Sequence, residues 1–106
     1  MHLPARIRVS GQDYSVQVVD GSTDTHIDDL YGYCNHRALK IALNSNYAHR
    51  GYSETLIHEV VHAINSAIEE EPEEKDHARF CRALFSVFAD NPSLLEYVLE
   101  EIKGKL

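Results

Sequence analysis

The hydrophobic pattern of this chain changes period once, near residue 50, and that change limits the folds open to it. Before it the pattern is that of strands. Ile7 and Val9 alternate with Arg6, Arg8 and Ser10, and Ser10-Gly11-Gln12-Asp13 is turn chemistry. Tyr14, Val16 and Val18 then alternate with Ser15 and Gln17, so residues 6–20 read as a β-hairpin. Residues 20–30, rich in Asp, Ser, Thr and Gly, read as a loop. A second hairpin is predicted over 31–44. Tyr31 and Tyr33 lead into a turn near His36-Arg37, and Leu39, Ile41 and Leu43 return with period two. A polar loop over 44–52 follows.

From Ser53 the period is helical. Ser53 is the expected N-cap, with Glu54 in the first turn where a carboxylate suits the helix dipole. This helix is expected to run to about Glu69, before Pro72. A solvated connection from Glu69 to Asp76 carries six acids and one Lys. A second helix is predicted from about Glu73 to Ala89, ended by Asp90-Asn91-Pro92, and a third, capped by Ser93, to about Lys103. Strands first and helices after read as α+β, and no linker or repeat divides residues 1–106, so one domain is expected.

Composition excludes several classes. With 106 residues, 43% hydrophobic, the chain can build one core and little more. Lys+Arg 10 against Asp+Glu 17 gives a net charge of −7, which repels nucleic acid and anionic membranes alike. No apolar run approaches the roughly 18 residues of a membrane span. No apolar leader follows Met1, and the two cysteines, Cys34 and Cys81, form no C-x-x-C pair; a reduced, cytoplasmic protein is expected. Seven histidines are conspicuous beside one Met and no Trp.

Two of them lie in His58-Glu59-Val60-Val61-His62, an H-E-x-x-H sequence inside the first helix. Residues i and i+4 stack on one helical face, so both imidazoles can reach one zinc ion. Glu59 sits about 100° around, placed to take a proton from an activated water without itself being a ligand. From this composition chance gives about 0.04 such matches. Helical register strengthens the reading. Leu56, Ile57, Val60, Val61, Ile64, Ala67 and Ile68 form an apolar stripe, and the motif falls on the opposite face with Thr55, Asn65, Ser66 and Glu69, a face without Lys or Arg.

A third ligand is expected from the second helix. His77, Phe80, Cys81, Leu84, Phe85 and Phe88 form a stripe, and His77, at its start, faces the first helix. His77 is the favoured third ligand and Glu74, one turn earlier on the same side, the alternative. His2, His26 and His36 read as surface residues, as does His49, although His49 lies in the loop before the motif. Cys34-x-His36 has ligand-like spacing across a turn, and Cys81 reads as core. Tyr47 and Tyr52 flank the motif; packing is their first reading, donation to an oxyanion their second.

These residues resemble the small zincin-type metallopeptidases of bacteria and their phages, related in style to the SprT-like and minigluzincin families. The resemblance covers about residues 31–92: Tyr31-Gly32-Tyr33-Cys34, the strand Leu39–Leu43, the segment Glu54 to Ala63 that contains H-E-x-x-H, and the close on Asp90-Asn91-Pro92. It implies a twisted antiparallel or mixed sheet of three or four strands packed on the motif helix and a backing helix. It also implies that Leu39–Leu43 is an edge strand able to align a peptide. The SprT-like third ligand is a His followed three residues later by Phe, which His77 and Phe80 match; the minigluzincin one is a Glu, which Glu74 matches. The chain lacks the basic extension of the DNA-repair members.

The expected function is a zinc metallopeptidase acting on a peptide or protein, with Zn2+ on His58, His62 and His77 (or Glu74) and Glu59 as general base. The alternative is a zinc-binding regulatory or assembly protein whose peptidase-like site is not used for turnover. A metal-free acidic interaction module is the third reading.

Overall fold

A computed structural model of the chain describes residues 2–22, 27 and 30–104. The first hairpin pairs β1 (Arg6–Val9) antiparallel with β2 (Gln12–Val19). Its turn is shorter than the sequence suggests, because Gln12 and Asp13 already belong to β2. Ser10 and Gly11 both have positive φ, 48° and 82°, as a two-residue type I′ turn requires. Alternation then does what it predicts: Val9 and Tyr14 are buried, and Arg8 and Asp13 pair across the strands on the solvent side.

The second hairpin joins β3 (Gly32–Asn35) to β4 (Lys40–Asn44). The Asn35 side chain accepts from the backbone N–H groups of Arg37 and Ala38, both at 3.0 Å, and Leu39 turns the chain with φ 53°. Leu39 therefore sits in the turn and not in the strand. From Ile41 to Asn44 every residue is fully buried, on both faces. The sheet order explains this. It runs β1-β2-β4-β3, with β4 parallel to β2 and antiparallel to β3. The expectation that Leu39–Leu43 forms an edge is thus overturned: β4 is interior, and β3 is the edge. The connection after β2 carries the chain past the vacant slot, and β4 returns to fill it. A continuous apolar run suits that slot, since an interior strand must satisfy two covered faces. Asn44 closes the strand end, donating to the Leu30 carbonyl at 2.9 Å and accepting from the Gly21 and Asn46 N–H groups at 3.2 and 3.0 Å. A short 3-10 segment, Ser45–Arg50, follows where the sequence reads as plain loop.

Helix α1 (Ser53–Ala67) crosses the sheet and packs on β1, β3 and β4. Tyr52, not Ser53, is its N-cap, and no side chain caps it. It ends two residues earlier than expected. Glu69 adopts φ 59°, and the N–H groups of Glu69 and Glu70 return to the carbonyls of Ser66 and Asn65, a Schellman closure. Helix α2 (Glu74–Asp90) backs α1, and α3 (Pro92–Gly104) starts on a proline, whose missing N–H costs nothing at a first helical position. The core is Val9, Tyr14, Ile41, Leu43 and Ala63, flanked by Ile7, Val16, Leu56 and Val60.

The apolar stripes are covered unevenly. On α1, Val61 and Ala63 are buried, but Ile64 and Ile68 are 42% and 60% exposed. On α2, His77 and Cys81 are buried while Phe80 is 59% exposed. The polar face of α1, expected to stand away from the core, is partly enclosed between β3 and α2, and Glu59 is buried there. The result is an α+β domain with a four-stranded mixed sheet. Among the described residues no helix is long and apolar enough to cross a membrane.

Candidate metal centre

Helical register on α1 sets His58 and His62 one turn apart, with ring centroids 4.9 Å from each other. The α1–α2 hairpin brings the start of α2 against them. His77 lies beneath, 2% exposed, stacked on His62 with centroids 3.5 Å apart and rings within 10° of parallel. One ligand atom from each of His58, His62 and His77 lies within 4.8 Å of the others, the single such three-residue group among the described residues. Glu74, 68% exposed at the side chain, reaches in from the first turn of α2. Its Oε1 is 2.9 Å from His58 Nε2 and its Oε2 is 3.4 Å from His62 Nε2. All four residues singled out as ligands therefore meet at one place.

They are not equivalent. His77 Nε2 donates to the His58 carbonyl at 3.0 Å, so Nδ1 is left as acceptor for the Asn65 amide at 3.2 Å. The Cys81 sulfur lies 3.4 Å from the same Nε2. Both ring nitrogens of His77 are thus engaged within the protein, tying α2 to α1. The Nε2 atoms of His58 and His62 meet only the carboxylate of Glu74 among these contacts.

Burial disfavours the charged forms here. Burial, and next the neighbouring His77, hold His58 below its ordinary value against the pull of Glu74. The same two causes lower His62 to about 4. Both imidazoles are neutral at pH 7, the form that binds metals. The Glu59 carboxyl, 5% exposed, is pushed up to about 8 by burial and then by Glu74. Cys34 and Cys81 are free thiols raised to about 12 and about 11, chiefly by burial and next by Glu59, which leaves them unreactive as nucleophiles.

The donor set fits zinc. Tetrahedral coordination at about 2.0–2.1 Å sets ligand atoms about 3.4 Å apart. The ligand atoms of the His group lie within 4.8 Å of one another, and Glu74 lies 2.9 and 3.4 Å from the two Nε2 atoms.

Three hollows flank the centre, one of about 340 Å³ beside His77 and two beside the motif histidines. A cleft of about 410 Å³ opens beside His58, lined by Tyr31, Tyr47, Arg50, Tyr52 and Arg82 among others. A smaller one of about 220 Å³ opens beside His62, lined by His36, Glu70 and Glu71. Tyr47 packs edge-on against Tyr31 at 4.4 Å, and Tyr52 packs on the core; both also line the larger cleft. His49 is exposed and not among the lining residues, His2 is exposed, and His26 lies outside the described residues. His36 is not incidental: its Nδ1 is 3.3 Å from the buried Tyr14 hydroxyl and 3.6 Å from the Cys34 sulfur. The Cys34-x-His36 spacing was the signal for this contact, but the pair joins no three-residue ligand group. Arg50 and Arg82 left no signal in the sequence, because the cleft joins residues from separate elements.

No protein-family model, curated protein or solved structure matches the chain.

Proposed function

We propose that this chain is a zinc-dependent peptidase with a zincin-like fold, in which His58, His62 and Glu74 hold the ion and Glu59 moves the protons. The observation that carries the reading is the Glu74 carboxylate set against the Nε2 atoms of both motif histidines, at 2.9 and 3.4 Å. His77 was the first expectation for the third ligand. The hydrogen bonds favour Glu74, because both His77 nitrogens are tied to the protein frame while the exposed carboxylate already faces the two motif Nε2 atoms. Bound there, zinc would supply Lewis acidity toward water and toward the scissile carbonyl.

The residues divide the remaining work. His58 and His62, neutral through burial, need only move the ring proton from the Nε2 that faces Glu74 to Nδ1 to present a lone pair there. Glu59 takes the proton of the attacking water and passes it to the departing amine. To act as a base it must be ionised, and a nearby dication favours that form by simple charge attraction. His77 holds the spacing between the helices. Metal analysis and cleavage of a peptide library test the reading together. About one zinc per chain is expected, lost in Glu74→Ala, and Glu59→Gln should keep zinc and lose cleavage. Near-zero zinc after reloading would refute it.

One observation favours the second reading, a zinc-binding regulatory or assembly protein. Glu59 is almost wholly buried and, without metal, protonated at neutral pH. A wild-type protein that binds zinc and cleaves nothing would decide for it.

A further inference from the structure

The cleft of about 410 Å³ beside His58 is large enough for a side chain or a chain terminus of a bound peptide, and it gathers positive charge on an acidic chain. The protein carries net charge −7, yet two of its arginines, Arg50 from the 3-10 segment and Arg82 from α2, line this cleft, and among its described lining residues Glu54 is the one carboxylate. Neither guanidinium forms an ion pair among the described residues, where the pairs are Arg8 with Asp13 and the two histidines with Glu74. Arg50 is held over the face of Tyr31, with its guanidinium carbon 4.5 Å from the ring centroid. Tyr31 is in turn braced edge-on by Tyr47. A guanidinium stacked on a ring keeps its N–H edge free for a planar acceptor.

We infer that this cleft is a carboxylate-binding subsite, in which Arg50 and Arg82 together grip a carboxylate of a peptide lying across His58. The inference rests on the peptidase reading for the identity of the ligand as a peptide, and it names the class: peptides with an acidic side chain or a free C-terminus next to the reacting bond. A planar, singly charged carboxylate matches two forked donors and tolerates Glu54 nearby better than a doubly charged phosphate does.

Binding tests it apart from turnover. Zinc-loaded Glu59→Gln protein would be titrated into three coumarin-labelled, alanine-rich hexapeptides and read by fluorescence anisotropy. One has a free C-terminus and no acidic side chain, one is amidated with a single glutamate, and one is amidated and neutral. At least one carboxylate peptide should bind about tenfold tighter than the neutral one, as expected for a charge-assisted pair in a partly desolvated cleft. Which of the two it is identifies the source of the carboxylate. Arg50→Gln and Arg82→Gln should each reduce the preference, with zinc content and circular dichroism unchanged. Arg82→Glu should turn it toward an amidated lysine peptide. Equal affinities, no measurable binding, or a preference that survives both arginine variants overturns the inference. A retained preference beside a wild type that cleaves no peptide would instead refute turnover and leave the subsite standing.

Discussion

In the metal-free protein, Glu59→Gln should flatten the dependence of stability on pH. The Glu59 carboxyl titrates at an ordinary 4.5 when unfolded and at about 8 when folded. The folded state therefore holds a proton that the unfolded state releases across this interval. Stability from this group is fully present below pH 4.5 and is lost as pH rises to about 8. At about 1.4 kcal/mol per pH unit, the whole interval amounts to about 5 kcal/mol. His62 works in the opposite sense. Its folded value of about 4 lies below its unfolded 6.5, so it costs stability as pH falls through that window, and the cost fades out over about one pH unit above it. His58, also lowered, adds to the same side. Between pH 6.5 and 8 the carboxyl should cost the wild type about 2 kcal/mol relative to the variant, while the two histidines return part of that loss in both proteins. Urea unfolding at the two ends of that window measures it. Glutamine does not titrate, so the variant should show only the small rise that the histidines give, whatever constant offset its amide introduces. Parallel profiles for the two proteins would show that Glu59 is ionised in the fold and would refute the reasoning. Zinc loading should shrink the wild-type slope, because the dication lowers the folded value.

Three further changes test the scaffold. Glu69→Gly should stabilise the protein by about 0.5–1 kcal/mol in urea, since Glu69 holds φ 59° at the closure of α1, where a side chain is strained. Gly32→Ala should cost about 1–3 kcal/mol, because a Cβ there would stand 2.7 Å from the Ala42 carbonyl oxygen and 2.9 Å from the Thr55 methyl, at the close approach of β3 and α1; an unchanged melting temperature would contradict this. Asn44→Ala should cost about 1–3 kcal/mol by thermal unfolding, because the buried Gly21 N–H loses its acceptor and the part-buried bonds to Leu30 and Asn46 go with it.

Residues that interact with near neighbours were readable in the sequence. Tyr14, Val9 and the Ser10-Gly11 turn belong to one hairpin, and alternation places them. His58 and His62 follow from helical register alone. Residues whose surroundings come from distant segments were not. Ile41-Ala42-Leu43 is a continuous apolar run, a hint of an interior strand, but its parallel pairing with β2 depends on how the connection after β2 is routed. Glu74 and His77 are one turn apart on the same side of α2, so periodicity cannot rank them as ligands. The ranking depends on how α2 meets α1, which sets Asn65 and the His58 carbonyl against His77. The exposure of Ile64 and Ile68 has the same origin: a stripe is apolar in the sequence, but only the helix or strand that crosses it decides how much is covered.

The two hydrogen bonds of His77 have a consequence for how a cation would come and go. They fasten α2 to α1 through groups that no metal needs, so the helices are docked before any ion arrives. In a zinc finger, ligation and folding are one event; here they are separate. Removing the ion with a chelator should leave the backbone in place, and the affinity for the ion carries no helix-docking entropy. The moving part is the exposed carboxylate of Glu74, a latch of a few atoms. Were an ion bound, its exchange would be governed by rotation of that side chain and by the solvent that competes for it, on a timescale far shorter than unfolding.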